Sequence, residues 1–116
     1  MTSALELLKD RIGPTEARIV SKLVKKALDF RWMVTVNDGE VDTGVVESCD
    51  ADAIYSEIGH TDQTVLILHR PAYERGGVHH PQSYLGWISL VHGNGEDVIS
   101  DHVDNDRMAE LVQGVY

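Results

Sequence analysis

The chain has 116 residues, with 10 Lys and Arg against 19 Asp and Glu, for a formal charge of −9. That length is one domain, large enough to bury a core without a disulfide or a metal. The acidic balance excludes generic binding to a nucleic-acid backbone, which needs Lys and Arg, and no apolar run approaches the ~18 residues of a membrane span. Cys49 stands alone, so no internal disulfide forms, and no basic head followed by an apolar stretch opens the chain. A reducing cytoplasm is the expected location.

Ser3-Ala4-Leu5-Glu6 fits a capping box, so a short helix follows and ends at Gly13-Pro14. Thr15 is the expected cap of a longer helix running to about Asp29, with Glu16 in its electropositive first turn. Val20, Leu23, Val24, Ala27 and Leu28 recur at helical spacing and form one apolar stripe. Trp32–Val36 reads as a strand, Asn37-Asp38-Gly39 as a hairpin turn, and Val41–Val46 as the return strand, with a bulge at Gly44. Ser48 or Asp50 caps a short helix whose Ala51, Ile54, Tyr55 and Ile58 share a face, stopping at Gly59.

The run Thr64–Leu68 reads as a strand buried on both faces. Tyr84–Val91 is a further, central strand, because both of its alternating sets carry apolar residues. Gly93-Asn94-Gly95 turns the chain into Val98-Ile99-Ser100, with the register left open. Asp104–Asp106 cap a last helix with Met108, Leu111 and Val112 on its apolar side. The order is α-α-β-β-α-β-β-β-α. Hairpins dominate it, so the expected fold is a single α+β domain: a two-layer sandwich with a largely antiparallel sheet of about five strands and helices on one face.

The segment 70–83 is long for a connection between two strands and holds Tyr73, Glu74, Arg75, a Gly76-Gly77 pair, His79 and His80. Connections of this length tend to be functional or disordered, and these side chains form a candidate binding loop on a rigid sheet. The six histidines raise a metal reading. His92 and His102 flank the Asn94-Gly95 turn, and with Asp101 they form a His/carboxylate set for a metal-dependent hydrolase. Against it, no HxH, HExxH or CxxC spacing is present, and the adjacent His79 and His80 point to opposite faces of an extended segment.

Other constellations reduce to structure. Asp101, Asp104 and Asp106 lack the glycine and distal glutamate of a calcium loop. Cys49 has no nucleophile signature around it. Gly93-Asn94-Gly95 leads into a strand rather than a helix, so it is no phosphate cradle. Trp32, Trp87 and Tyr84 lack the basic groove of a base-stacking platform.

Residues 86–104, an apolar strand, a Gly-Asn turn, an Asp-Val-Ile strand and an acidic helix cap, resemble the endings of small uncharacterised phage and prophage proteins. The resemblance implies a mobile-element origin and carries no activity or site residue.

The leading expectation is a small non-catalytic interaction or regulatory protein with a protein partner and no cofactor. It contacts that partner through loop 70–83 and the acidic hairpin around Glu96–Asp101. Two further readings are an acidic nucleic-acid mimic that occupies a DNA-binding protein, and the metal-dependent hydrolase above. A homodimer through an exposed edge strand is also an expectation. Charge is unevenly spread: residues 1–31 carry +3 and residues 32–116 carry −12. A mildly basic helical start therefore accompanies an acidic body, a polarity suited to holding the long helix against it or to stacking subunits head to tail.

Overall fold

A computed structural model describes residues 3–37 and 47–115. Helices α1 (Ala4–Ile12) and α2 (Pro14–Asp29) are followed by β1 (Met33–Asn37), α3 (Ala51–Glu57) and β2 (Gln63–Arg70). Then come β3 (Tyr73–Arg75), β4 (Val78–His80), β5 (Ser83–Val91), β6 (Ile99–His102) and α4 (Asp106–Val112). The α+β class and the antiparallel sheet expected from the sequence are present. The main sheet has four strands in the order β1-β2-β5-β6, all pairs antiparallel, and β3 pairs only with β4 in a separate ribbon. The expected return strand Val41–Val46 and its Gly44 bulge lie outside the described residues. Ser48 bridges Val34 antiparallel at the outer side of β1.

Local chemistry sets the helix ends. Ser3 Oγ accepts from the Glu6 N–H, as the capping box requires. The start of α2 differs from expectation. Pro14 occupies its first turn and Gly13 its cap, so Thr15 lies inside the helix. Proline at that position loses no hydrogen bond and presets φ, which makes a side-chain cap dispensable. At the other end Arg31 adopts φ 65°, Trp32 N–H donates to the Ala27 carbonyl and Arg31 N–H to that of Leu28. This is a Schellman stop with a non-glycine residue in the left-handed position. Replacing Arg31 by glycine is expected to raise stability by about 1 kcal/mol, measured by urea unfolding.

The sheet buries one face. Thr64, Leu66 and Leu68 of β2 are enclosed, whereas Val65, Ile67 and His69 are only half-buried. The expectation that this strand is buried on both faces is therefore corrected. An apolar run is equally compatible with a central antiparallel strand whose second face is screened by its neighbours. The core joins that face to Leu8, Ile19, Val20, Leu23, Ile54 and Leu111 of the four helices. β5 is central, as expected, and a register shift opposite Leu68/His69 bulges Leu85 out of the ladder. The return after the 93–95 turn is Ile99–His102, not Val98–Ser100. A 3-10 turn at Gly95–Asp97 takes up the residues between.

The basic start of the chain does hold the body, but through carbonyl groups rather than carboxylates. Arg11 donates to the Tyr55 and Ile58 carbonyls at the end of α3. Lys26 Nζ donates to the Glu110 and Gln113 carbonyls at the end of α4, at 2.6 and 2.7 Å. Each short helix thus has two carbonyls at its C-terminal end met by a cation from α1 or α2.

Tyr55 is buried, and its hydroxyl has no hydrogen-bond partner among the described residues. Burial raises its phenol above the usual value of 10.0, and Asp52 adds to the shift. The folded state therefore keeps its proton where the unfolded chain loses it. This contribution to stability is intact below pH ~10 and falls as pH rises above it. Tyr55→Phe removes an unsatisfied group. It is expected to be neutral or stabilising by up to ~1 kcal/mol, and to lose less stability between neutral and strongly alkaline pH than the parent in paired urea titrations.

Candidate interaction surface

Segment 70–83 is a two-stranded arm rather than an irregular loop. Tyr73 pairs with His80, Glu74 with His79 and Arg75 with Val78. Gly76 and Gly77 form the two-residue turn with φ of 60° and 79°. Two consecutive positive φ values are the signature of the hairpin turn whose twist matches its strands, and glycine reaches them without strain. Strands this short are marginal by themselves, so side-chain contacts must help hold the ribbon. The Tyr73 and His80 rings stack with centroids 4.5 Å apart and planes 7° from parallel. The Arg70 guanidinium carbon lies 5.3 Å from the Tyr73 ring centre. Each such contact contributes about 0.5–1 kcal/mol at an exposed site.

The arm's root is fixed to the sheet. Gln82 Nε2 donates to Glu47 Oε1 at 2.6 Å. Tyr84 meets His69 edge to face, with ring centroids 5.7 Å apart. An open cleft of about 520 Å³, lined by Tyr84, Leu85, Asn105, Asp106 and Arg107, adjoins this root. Five large apolar or aromatic side chains are conspicuously exposed among the described residues, and three of them (Tyr73, Val78 and Tyr84) are on the arm or its root. Glu74 and His79 approach to 3.9 Å while both remain largely in solvent, a pairing of little energetic weight.

The five arm residues chosen from sequence are thus brought together on one exposed ribbon. The other set is not. His102 is opposite Ile88 in the β5–β6 ladder, while His92 lies four residues further along, about 13 Å at the strand rise. The His92 side chain points inward and that of His102 reaches the Val103 carbonyl, while Asp101 accepts from the His102 N–H. Among the described residues no group of three His, Cys, Asp or Glu is arranged to hold a metal ion. Cys49 is exposed, with its sulfur 3.9 Å from the Trp32 carbonyl oxygen. Trp32 packs on Phe30 and Tyr84 on His69, so the aromatic residues do not assemble into one platform.

Sequence reasoning missed a buried polar chain. Glu16 accepts from His92 Nδ1 at 3.2 Å and from the Gly93 and Gly95 N–H groups at 2.9 and 3.1 Å. His92 Nε2 meets Thr64 Oγ1 at 2.9 Å. With Nδ1 donating to the carboxylate, a neutral ring would accept the Thr64 hydroxyl at Nε2 and a charged ring would donate to it. The connectivity is that of nucleophile, base and orienting acid, but Thr64 is fully enclosed, so its hydroxyl meets no substrate and the chain is a structural staple. Pro14-Thr15-Glu16 signalled only a helix start. The partner 76 residues away left no local mark.

Comparison with protein-family models, with curated proteins and with solved structures finds no match to this chain.

Proposed function

We propose that the protein is a small non-catalytic interaction or regulatory protein, acting in the cytoplasm, which engages a protein partner through the arm at 70–83. One observation carries the reading: the concentration of exposed Tyr73 and Val78, with Arg and His among them, on a separate two-stranded ribbon, with exposed Tyr84 at its root on the main sheet. Tyr and Arg dominate the energetics of protein interfaces, and a preordered hairpin presents them at low entropic cost. The mobile-element origin implied by residues 86–104 is part of the proposal and adds nothing to the choice of surface.

The test is quantitative co-purification from the native host with the parent chain and with a variant carrying alanine at Tyr73, Glu74, Arg75, His79 and His80. Loss of a stoichiometric partner, with the melting temperature of the main domain retained, is the expected result. Retention of every partner by the variant overturns the proposal.

A further inference from the structure

We propose that Arg70, at the root of the arm, is the anchor for an acidic segment of a partner protein, with Tyr73 and His80 forming its aromatic wall. This deepens the reading of the arm as a contact surface and rests on it. Residues 32–116 carry fifteen carboxylates and only three Lys or Arg. Yet no described carboxylate lies within ion-pair distance of Arg70, and the arm's own acid, Glu74, is turned to His79.

Arg70 Nε is enclosed and donates to nothing among the described residues, so the guanidinium has no acceptor within the described fold. It is the only enclosed, unpartnered nitrogen of that side chain, so the outer edge of the guanidinium still meets solvent. His69 Nδ1, on the neighbouring residue, is likewise enclosed with no hydrogen-bond partner among the described residues. The Arg70 guanidinium carbon lies 5.3 Å from the centre of the Tyr73 ring, and a planar fork matches a carboxylate in two parallel hydrogen bonds. The exposed ring of Tyr73 supplies apolar area beside that charge. A nucleic acid would offer the same anionic chemistry, but the acidic body around the arm repels a continuous phosphate backbone, whereas a short acidic peptide engages the arm alone.

The probe is a short fluorescent peptide of alternating Glu and Ser, its Gln/Ser counterpart, and a single-stranded oligonucleotide of similar length, each titrated at low salt. The Glu peptide is expected to bind at least about tenfold more tightly than the Gln peptide. Arg70→Gln is expected to remove that preference, and Arg70→Lys to restore only part of it, because the ammonium lacks the fork. Lys22→Gln makes the same charge change on the exposed side of α2 and should leave binding within about twofold. Equal losses in Arg70→Gln and Lys22→Gln, equal binding of the Glu and Gln peptides, or tighter binding of the oligonucleotide would each overturn the proposal. So would self-association that Arg70→Gln abolishes without any peptide binding, since the occupant is then a second copy. If the five-alanine variant loses its partner while the Glu peptide fails to bind, the arm stands as the contact surface and this inference alone falls.

Discussion

Glu16→Ala is expected to destabilise the domain by about 3 kcal/mol, lowering the melting temperature by roughly 10 °C. The carboxylate is 5 % exposed and is the acceptor for two backbone N–H groups and one imidazole N–H. Alanine removes all three acceptor contacts at once. Gly93 is exposed, so water rescues part of the loss there, while the His92 side chain is 8 % exposed and keeps its unmet donor. Glu16→Gln separates charge from hydrogen bonding. The amide oxygen can still accept from the two glycines, and His92 can switch tautomer to accept from the amide NH2 and donate to Thr64. A cost of about 1 kcal/mol is expected for Gln. If Ala and Gln were equal, and both within about 0.5 kcal/mol of the parent, the staple between α2 and the β5–β6 turn would contribute nothing.

Gly86→Val is the second large effect, at about 3 kcal/mol, with Gly86→Ala near 2. A methyl group placed on Gly86 would lie 2.5 Å from Met108 Cγ and 2.7 Å from Val103 Cγ1. Both neighbours belong to the segment that seats α4 on β5, where Asn105 Nδ2 donates to the Leu85 carbonyl and the Val103 N–H to that of Trp87. Met108 is fully buried and Val103 is stiff at χ1, so neither side chain has free space to enter. Truncating Met108 to alanine opens that space. The Gly86→Ala penalty should therefore shrink by at least about 1 kcal/mol in the Met108→Ala background, as read by a double-mutant cycle in urea. Independent, additive penalties would contradict the close approach.

Residues whose partners lie within a few positions were legible in the sequence. Ser3 and Glu6 meet across one helical turn, and the stripe from Val20 to Leu28 needs only the period of the helix to be read. Gly76-Gly77 is equally local. The same dipeptide between short strands is a two-residue hairpin turn, and that alternative converts a loop into an arm. Pro14 likewise displaced Thr15 by a local rule.

What could not be read is what the topology brings together. Glu16 reaches the turn after β5 because α2 packs beside that turn, and Arg11 and Lys26 find the ends of α3 and α4 because α1 packs on α3 and α2 on α4. The charge split between the two parts of the chain pointed toward those contacts without naming their acceptors, because a peptide carbonyl leaves no trace in composition. Arg70 belonged to the long connection from the start. Its weight emerges only from the acceptor it lacks.

The arm and the staple also divide the molecule energetically. The staple lies in the core, where substitutions unfold the domain. The arm pairs only with itself, so its side chains can change with little effect on the rest. That separation makes the central claim directly measurable, by amide hydrogen exchange of the protein alone and bound to the partner it retains from its native host. Added protection is expected over residues 73–80 and at Tyr84, with the amides of α1 and α2 unchanged. Protection confined to α1 and α2, with the arm exchanging as fast in the complex as in the free protein, would contradict it.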